Sequence, residues 1–371
     1  MTSMWMPFSA YMQEALYGPK GYYMIDRNRF GKSGDFFTSA QVSPVFGEIW
    51  ASFVMQKVAE REYRIVEFGP GDGDFAISLL TALLRMDERM IHYAGIEVSP
   101  AGRERLADKL QELRDTASDD RLDVSVYGSL DELKKCQPDA WDGCFVFANE
   151  WLDAFPCDVL RISRNGLVES LWVSKTIETP PPSSDVVGPF QGEHLQTEWK
   201  ESRDLYLLSY VKEWMMPLFQ DYEEDQMVAE VSLESLAAVM HVVEKIRPRV
   251  MALIDYGGYT IDVIGPDRPN GSLRAYRDHQ LVDHFLDWQG LVDLTYDVDF
   301  SPVISLLQQM EYGTSLKKQG MFLVTQPFFE RIVNERAASD PRVYQAIKTL
   351  VLPGGMGERF FVLLAERGYQ K

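Results

Sequence analysis

The sequence predicts an α/β fold, in which helices alternate with the strands of a mainly parallel sheet. Short apolar runs alternate with amphipathic segments from about residue 61 to residue 151, at the spacing of βαβ units. The first of these runs, RIV, leads directly into the glycine-rich stretch EFGPGDGDF at 67–75. A strand that passes through such a loop into a helix is the mononucleotide-binding half of a doubly wound, Rossmann-like fold.

The elements of the first half can be assigned in chain order. Apolar residues recur at helical spacing over 44–60, behind Ser43 as N-cap and Pro44 at the first helical position, which predicts an N-terminal helix. A buried strand is predicted at RIVEFG, and further strands are predicted at HYAGIEVS, LDVSVYGS and GCFVFANEW. The helices predicted between them are DFAISLLTALLRM and AGRERLADKLQELRD.

The regular alternation weakens after Pro156. Apolar residues alternate with polar ones on both sides of Arg164, Asn165 and Gly166, which predicts a hairpin over 160–174. The remaining predictions are a proline-rich loop at 176–194, helical packing at 202–226, a helix opening at Ser232, a strand at 250–257 and a last strand at 357–367.

These elements predict three parts. Residues 1–60 form an N-terminal helical cap, residues 61–157 and 231–371 form the Rossmann-like core, and residues 158–230 form an inserted substrate or lid subdomain. The chain has 371 residues, of which 46% are hydrophobic, so it can bury a substantial core.

The charge balance disfavours nucleic acid as a partner. The 37 basic residues stand against 56 acidic ones, a net charge of -19 that would repel a phosphate backbone. Acidic proteins commonly owe such a charge to solubility alone, and a preference for basic substrates stays open at this point.

No metal site is expected. Cys136, Cys144 and Cys157 form no CxxC pair, and the five histidines form no HExxH pattern, so the cysteines are predicted to be reduced and mostly packed thiols.

The N-terminus and the hydropathy predict a soluble, cytoplasmic enzyme. No Lys or Arg precedes Lys20, which argues against a secretory leader and an arginine-rich transit peptide. No apolar run approaches the roughly 20 residues of a membrane span. An oligomer is compatible with the sequence.

The glycine loop is predicted to bind S-adenosyl-L-methionine through Gly69, Gly71 and Gly73. A P-loop is excluded because no GK[ST] follows. A dinucleotide is harder to exclude, but the carboxylates of Glu67, Asp72 and Asp74 would lie where its pyrophosphate sits, at a cost in binding energy. S-adenosyl-L-methionine has no phosphate and carries a sulfonium and an ammonium, which suit those carboxylates.

Two residues at the ends of the next strands extend this prediction. Glu97 ends the second strand, where an acid accepts hydrogen bonds from ribose hydroxyls. Ser129, after the third strand, is assigned to the adenine side, although a purely structural role is an equal alternative.

The chemistry is expected where the fourth strand ends, at 149–156. Asn149 is assigned to the cofactor. If a helical turn starts after it, Glu150 and Asp153 lie on one side. Such a carboxylate pair could hold a guanidinium and accept its proton during methyl transfer, with Glu150 the first choice as base and Asp153 the second. Helix capping is the alternative for Asp153.

The chain resembles the MidA-like family of class I S-adenosylmethionine-dependent methyltransferases, which includes the mitochondrial complex I assembly methyltransferase. The resemblance covers about residues 8–365, and it is carried by several motifs in order: YMQEALYGPKGYY, GDFFTS, VFGE, EFGPGDGDF, IEVSP, NEWLDAFP, IDYG, RAYRDHQLVD, DLTYDVDFSPV and MGERF. Asp72 and Asp74 depart from it, since the family often has Arg and Thr there.

The resemblance implies a class I methyltransferase core in which Gly69, Gly71, Gly73 and Glu97 hold the cofactor. It also implies that four residues of the GDFFTS segment help to close the site, namely Gly34, Asp35, Thr38 and Ser39. By analogy it suggests methylation of a protein arginine in a basic segment, in support of respiratory complex assembly.

Four further residues fall in motifs shared with the family. His279 could act in proton transfer. Asp255 could face the substrate, and Asp297 and Asp299 could share a strand face and form an acidic rim for a basic peptide. Structural roles remain the alternatives for all four. Two other functions also stay open, a small-molecule N- or O-methyltransferase and a non-catalytic, cofactor-binding assembly factor.

Overall fold

The computed structural model describes residues 4–26, 39–58, 60–117, 119–177, 193–277, 280–283, 285–340 and 342–368. Its strands are β1 (Met4–Pro7), β2 (Glu62–Phe68), β3 (Met90–Ile96), β4 (Leu122–Tyr127), β5 (Phe145–Asn149), β6 (Asp158–Ser163), β7 (Val168–Ile177), β8 (Glu193–Glu201), β9 (Gln226–Val231), β10 (Val250–Gly258), β11 (Arg274–Arg277), β12 (Gln280–Leu281), β13 (Asp293–Thr295), β14 (Val298–Asp299), β15 (Tyr312–Lys318) and β16 (Phe360–Arg367).

The α-helices of the described residues are α1 (Phe8–Tyr17), α2 (Ser39–Val42), α3 (Val45–Lys57), α4 (Asp74–Met86), α5 (Pro100–Ala117), α6 (Leu130–Cys136), α7 (Leu205–Tyr210), α8 (Leu233–Ile246), α9 (Thr260–Val263), α10 (Phe300–Gln309), α11 (Gln319–Val324), α12 (Phe329–Ser339), α13 (Arg342–Val351) and α14 (Met356–Arg359). A π-helical turn at Val211–Met215 and a 3-10 turn at Met216–Gln220 follow α7. No helix in these described ranges is long and apolar enough to cross a membrane.

The chain divides into two compact units. The large unit consists of Asp26–Asp153, Leu236–Gly258 and Val298–Lys371. The small unit consists of Met1–Ile25, Ala154–Ser235 and Tyr259–Asp297, so it contains the predicted insertion and takes in two further segments.

The large unit is built on a sheet of strand order β15-β16-β10-β5-β2-β3-β4. Strands β10, β5, β2, β3 and β4 run parallel, and β16 is antiparallel to both of its neighbours. This confirms the predicted α/β fold with a mainly parallel sheet. The chain moves outward from β2 through β3 to β4 and then returns to β5 on the other side of β2. In doubly wound sheets, ligands bind at such a reversal, outside the carboxyl ends of the strands.

The central strands are continuous apolar runs because both faces of the sheet are covered. Every residue of β5 except Asn149 is buried. On one face, the ring of Trp50 in α3 packs edge-on against Phe147 of β5, with centroids 5.0 Å apart, and stacks on Phe322 of α11 at 4.6 Å. The apolar pattern thus fixes which helix face meets the sheet.

Gly47 marks a close approach between α3 and α4. A Cβ at residue 47 would lie 2.0 Å from Ser78 Oγ and 2.7 Å from the backbone nitrogen of Leu79. Replacing glycine by alanine inside a helix normally stabilises by about 1 kcal/mol. We expect Gly47→Ala to lower the free energy of unfolding instead, by about 1–3 kcal/mol, because overpacking outweighs propensity. Urea unfolding measures the sign, and a stabilised variant would contradict this packing.

The small unit contains an antiparallel sheet of order β1-β7-β6-β9, with β8 also paired to β7. The predicted hairpin is confirmed as β6 and β7, and Gly166 in its turn has a φ of +89°. The strand β1 and the strand β8 escaped prediction, since β1 has only four residues and β8 (EHLQTEWKE) shows no apolar alternation. Residues 4–7 therefore form a strand within the segment predicted to be a helical cap.

Candidate active site

The candidate site lies in the large unit, at the sheet edge where the carboxyl ends of β2, β3, β5 and β10 meet. The glycine loop follows β2, and the turn at 149–153 follows β5. The rings of Phe68 and Trp151 lie 5.0 Å apart, and a Cβ on Gly69 would lie 3.3 Å from Trp151 Cδ1. The loop and the turn that the sequence singled out are therefore neighbours.

The three predicted glycines all adopt left-handed backbone conformations that favour glycine. The φ angles are +64° at Gly69, +53° at Gly71 and +81° at Gly73, which is the N-cap of α4. A Cβ on Gly73 would also lie 2.6 Å from Leu106 Cδ1. Conformation and space together explain the glycines, and the loop brings backbone N–H groups to a helix N-terminus.

Glu97 is fixed directly beside this loop. Its side chain is buried after the end of β3, its Oε2 accepts a hydrogen bond from the Gly71 nitrogen at 3.2 Å, and its Oε1 accepts one from the Ser99 nitrogen at 2.8 Å. The carboxylate thereby ties the loop to the next strand, at the place where ribose hydroxyls are read in this type of fold.

The charges of the loop differ from the sequence-based expectation. Asp72 is paired with Arg105 at 2.8 Å and Asp74 with Lys109 at 2.7 Å, both from α5. Glu67 is buried and accepts a hydrogen bond from the Tyr93 hydroxyl at 2.8 Å. Burial raises the pKa of Glu67 to about 8, and the nearby charge of Glu97 acts in the same direction. The argument that three charged carboxylates repel a pyrophosphate is therefore wrong, because two are paired and the third holds its proton at neutral pH.

The raised pKa of Glu67 predicts how stability changes with pH. Folding lifts this pKa from 4.5 to about 8, so between these values the folded chain binds more protons than the unfolded chain. The contribution is fully present below pH 4.5 and is lost as the pH rises to about 8. The Glu67→Gln side chain is uncharged at every pH, so the variant does not lose this stability as the pH rises. The difference between its free energy of unfolding and that of the wild type should therefore grow by up to about 1.4 kcal/mol per pH unit. Urea unfolding at pH 5, 6, 7 and 8 tests this, and a difference that stays constant with pH would refute it.

The turn after β5 is not the predicted helical turn. Residues 150–153 form bends and the start of a turn, and Glu150 has a φ of +53°. The premise that Glu150 and Asp153 project on one side of a helix is therefore wrong. The Nδ2 of Asn149 donates to Glu150 Oε1 at 2.9 Å. The buried Oδ1 of Asn149 has no hydrogen-bond partner within the described part of the chain, which suits an N–H of a bound molecule.

Asp255 does not face a substrate as a free carboxylate. It is only 1% exposed, and its Oδ2 accepts the backbone N–H groups of Trp151, Leu152 and Asp153. Burial, followed by the negative charges of Asp153 and Glu150, raises the pKa of Asp255 well above its ordinary range. Asp255 was assigned to substrate contact from the sequence, but in the structure it supports the backbone of the turn at 151–153.

Two serines have structural partners. Ser129 is the N-cap of α6 and accepts a hydrogen bond from the Glu132 nitrogen at 3.2 Å. Ser39 is fully buried and donates to Gln319 Oε1 at 3.1 Å. Capping and packing account for both hydroxyls, in line with the structural alternative for Ser129.

The two aspartates of the predicted rim are also engaged. Asp297, in the small unit, is buried and ion-paired with Arg268 and Arg274. Asp299, in the large unit, is the N-cap of α10 and accepts from the Ser301 nitrogen at 2.9 Å. The prediction that Asp297 and Asp299 share a strand face is wrong, because Asp297 lies before the two-residue strand β14, whereas Asp299 is the last residue of that strand and caps the helix that follows.

The other predicted site residues lie outside the described residues. They are Gly34, Asp35, Thr38 and His279.

The sequence reasoning missed the basic partners of the loop. Arg105 and Lys109 lie four apart on α5 and so share a helix face, and this spacing was the available signal. Within the described ranges, no cluster of His, Cys, Asp or Glu is arranged to hold a metal ion. The open acceptor on Asn149 and the fixed carboxylate of Glu97 fit a nucleoside-containing cofactor that carries N–H and O–H donors.

Comparison with known proteins gives a family and a fold. Residues 46–320 match the model of a family described as "Putative S-adenosyl-L-methionine-dependent methyltransferase". The chain is 28% identical to the "Protein arginine methyltransferase NDUFAF7 homolog, mitochondrial" of Drosophila melanogaster, over 96% of this chain and 80% of that protein. It is 26% identical to the human "Protein arginine methyltransferase NDUFAF7, mitochondrial", over 97% of this chain and 80% of that protein.

One solved structure has the same fold over nearly the whole chain. It is a protein of Burkholderia thailandensis, crystallised bound to S-adenosyl-homocysteine, with a TM-score of 0.80 and 24% identity. The match covers 99% of this chain and 89% of that one.

Proposed function

This chain belongs to the family of S-adenosyl-L-methionine-dependent methyltransferases whose model matches residues 46–320, and we propose that it methylates an arginine side chain of a protein. Its cofactor is S-adenosyl-L-methionine, as the sequence predicted. The relatives at 26–28% identity are named as protein arginine methyltransferases, and that name supports the choice of acceptor.

When bound, the cofactor would supply the methyl group of its sulfonium, and its sulfur would then be part of a neutral thioether. In this chain, Gly69, Gly71 and Gly73 would lie against the cofactor, and Glu97 would accept hydrogen bonds from its ribose hydroxyls. Asn149 Oδ1 would accept one N–H of the cofactor or the substrate.

Glu150 carries the chemical part of the proposal. A guanidinium is protonated at neutral pH and must be held by charge-assisted hydrogen bonds that orient one nitrogen. Glu150 would hold that group and accept the proton that the nitrogen loses as its bond to the methyl carbon forms. The position of Glu150 next to Trp151, which contacts the glycine loop, is the observation that favours this residue.

The acceptor can be identified directly in a mixture of cellular proteins. The purified protein is incubated with isotopically labelled S-adenosyl-L-methionine and lysate, and labelled peptides are located by mass spectrometry. We expect label on arginine, with Glu150→Gln as the inactive control. Label only on a small metabolite supports the small-molecule alternative and overturns the proposal. No label anywhere, although the cofactor binds, supports the non-catalytic assembly factor.

The proposal extends to partners. The labelled arginine should lie in a basic segment, because the chain carries a net charge of -19. The further proposals are a cytoplasmic location, an oligomeric state and a role in respiratory complex assembly, the last resting on the resemblance between sequence motifs.

A further inference from the structure

The side chain of Asp255 accepts hydrogen bonds from the backbone of the turn that carries Glu150. It lies near the end of β10, directly beside β5, where Ile254 pairs with Asn149 and the Glu150 nitrogen donates to the Ile254 carbonyl oxygen at 2.8 Å. Its Oδ2 accepts three successive backbone N–H groups, from Trp151 at 3.2 Å, Leu152 at 2.9 Å and Asp153 at 3.2 Å.

This arrangement offsets an unfavourable backbone conformation. A left-handed conformation at a residue other than glycine costs about 1–2 kcal/mol. Such conformations persist where the surroundings over-determine them, and they concentrate at functional sites. Glu150 is such a residue, and the three N–H groups that follow it are in a non-helical turn. A buried acceptor compensates for the helical partners that these N–H groups lack.

We propose that Asp255 is a positioning residue for methyl transfer, whose side-chain carboxyl oxygen fixes the turn at 149–153 and so sets the position of Glu150. The inference rests on the proposed function, because it takes Glu150 as the residue that orients the acceptor nitrogen. Asp255 itself, at 1% exposure, does not need to touch the substrate.

The test is a double-mutant cycle between Asp255→Ala and Glu150→Gln. The measured quantity is the initial rate of tritiated methyl incorporation from S-adenosyl-L-methionine into acid-precipitable lysate protein. We expect Asp255→Ala to lower this rate by about 10²-fold, the loss typical for a misplaced catalytic group. When Glu150 is already glutamine, the same change should have less than about a threefold effect, because residues that act through one another are not additive.

Two further variants separate positioning from general stability. Glu230→Ala removes another carboxylate, a half-buried one that accepts the N–H groups of Ser272 at 2.9 Å and Leu273 at 3.2 Å in the small unit. We expect it to lower stability in urea while leaving the rate unchanged. Asp255→Asn keeps one acceptor oxygen for the turn, so it should fold even if the alanine variant does not, and it should show the same dependence on Glu150.

The outcomes are distinct. If the effects of Asp255 and Glu150 multiply in the double variant, Asp255 does not act through Glu150 and the inference is overturned. If Glu230→Ala lowers the rate as much as Asp255→Ala, the effect is one of stability and the inference also fails. If Glu150→Gln alone leaves the rate unchanged, the proposed role of Glu150 fails instead.

Discussion

Glu150→Gln should lower the rate of methyl transfer by about 10²–10⁴-fold, the range that a positioned general base contributes. Glutamine has the same shape and still offers an oxygen to Asn149 Nδ2, which donates to Glu150 Oε1 at 2.9 Å in the wild type. Only the charge and the capacity to accept a proton are lost. The affinity for S-adenosyl-L-methionine, measured by calorimetry, should stay within about threefold, because a change confined to the transition state leaves ground-state binding intact.

Glu311→Gln is a matched control. Glu311 is also a glutamate in a left-handed conformation, with a φ of +65° compared with +53° for Glu150, but it is exposed and lies after α10. It should retain the wild-type rate. An active Glu150→Gln protein would remove Glu150 from the mechanism and would favour a role for the turn in binding alone.

Glu97→Ala should weaken the binding of S-adenosyl-L-methionine by about 10²-fold or more. Hydrogen bonds to a charged group contribute about 1.5–3 kcal/mol each, and about 1.4 kcal/mol corresponds to a tenfold change in the dissociation constant. The change also leaves the N–H groups of Gly71 and Ser99 without their carboxylate partner, so the loop itself loses support. Calorimetric titration with S-adenosyl-L-methionine measures the loss.

Glu104→Ala separates charge from geometry, since it removes the same charge from an exposed position of α5. It should bind the cofactor like the wild type. Glu97→Gln should fall between the two, because the amide keeps only one accepting oxygen. Binding by Glu97→Ala within about threefold of the wild type would show that Glu97 does not contact the cofactor.

The fold was largely predictable because it depends on local patterns. The helix DFAISLLTALLRM was predicted at the bounds that the structure gives α4, and the strand RIVEFG corresponds to β2. Apolar periodicity indicates which side of an element is buried, and glycine indicates a backbone conformation that other residues avoid. Both features depend on residues that are neighbours in the sequence. The strand β8 could not be predicted in this way, since its polar sequence carries no apolar pattern and the strand is defined by its pairing with β7.

The cofactor was predicted correctly for a partly wrong reason. The family confirms S-adenosyl-L-methionine, yet Asp72 and Asp74 are paired with Arg105 and Lys109, and Glu67 is protonated by burial. Charge counted along the sequence omits partners from another helix and omits the cost of desolvation. Asp72 and Asp74, which depart from the family pattern, each form one of these two ion pairs.

The sequence by itself determined the parallel α/β fold, the glycine loop and the family, because each depends on residues that are close in the chain. The tertiary structure alone decided what the acidic residues do. Asp255 is about a hundred residues from the turn that it supports, and only the pairing of β5 with β10 brings the two together. Whether a carboxylate is free, paired, protonated or buried depends on such distant contacts, and for this reason the site residues were the part that the sequence predicted least well.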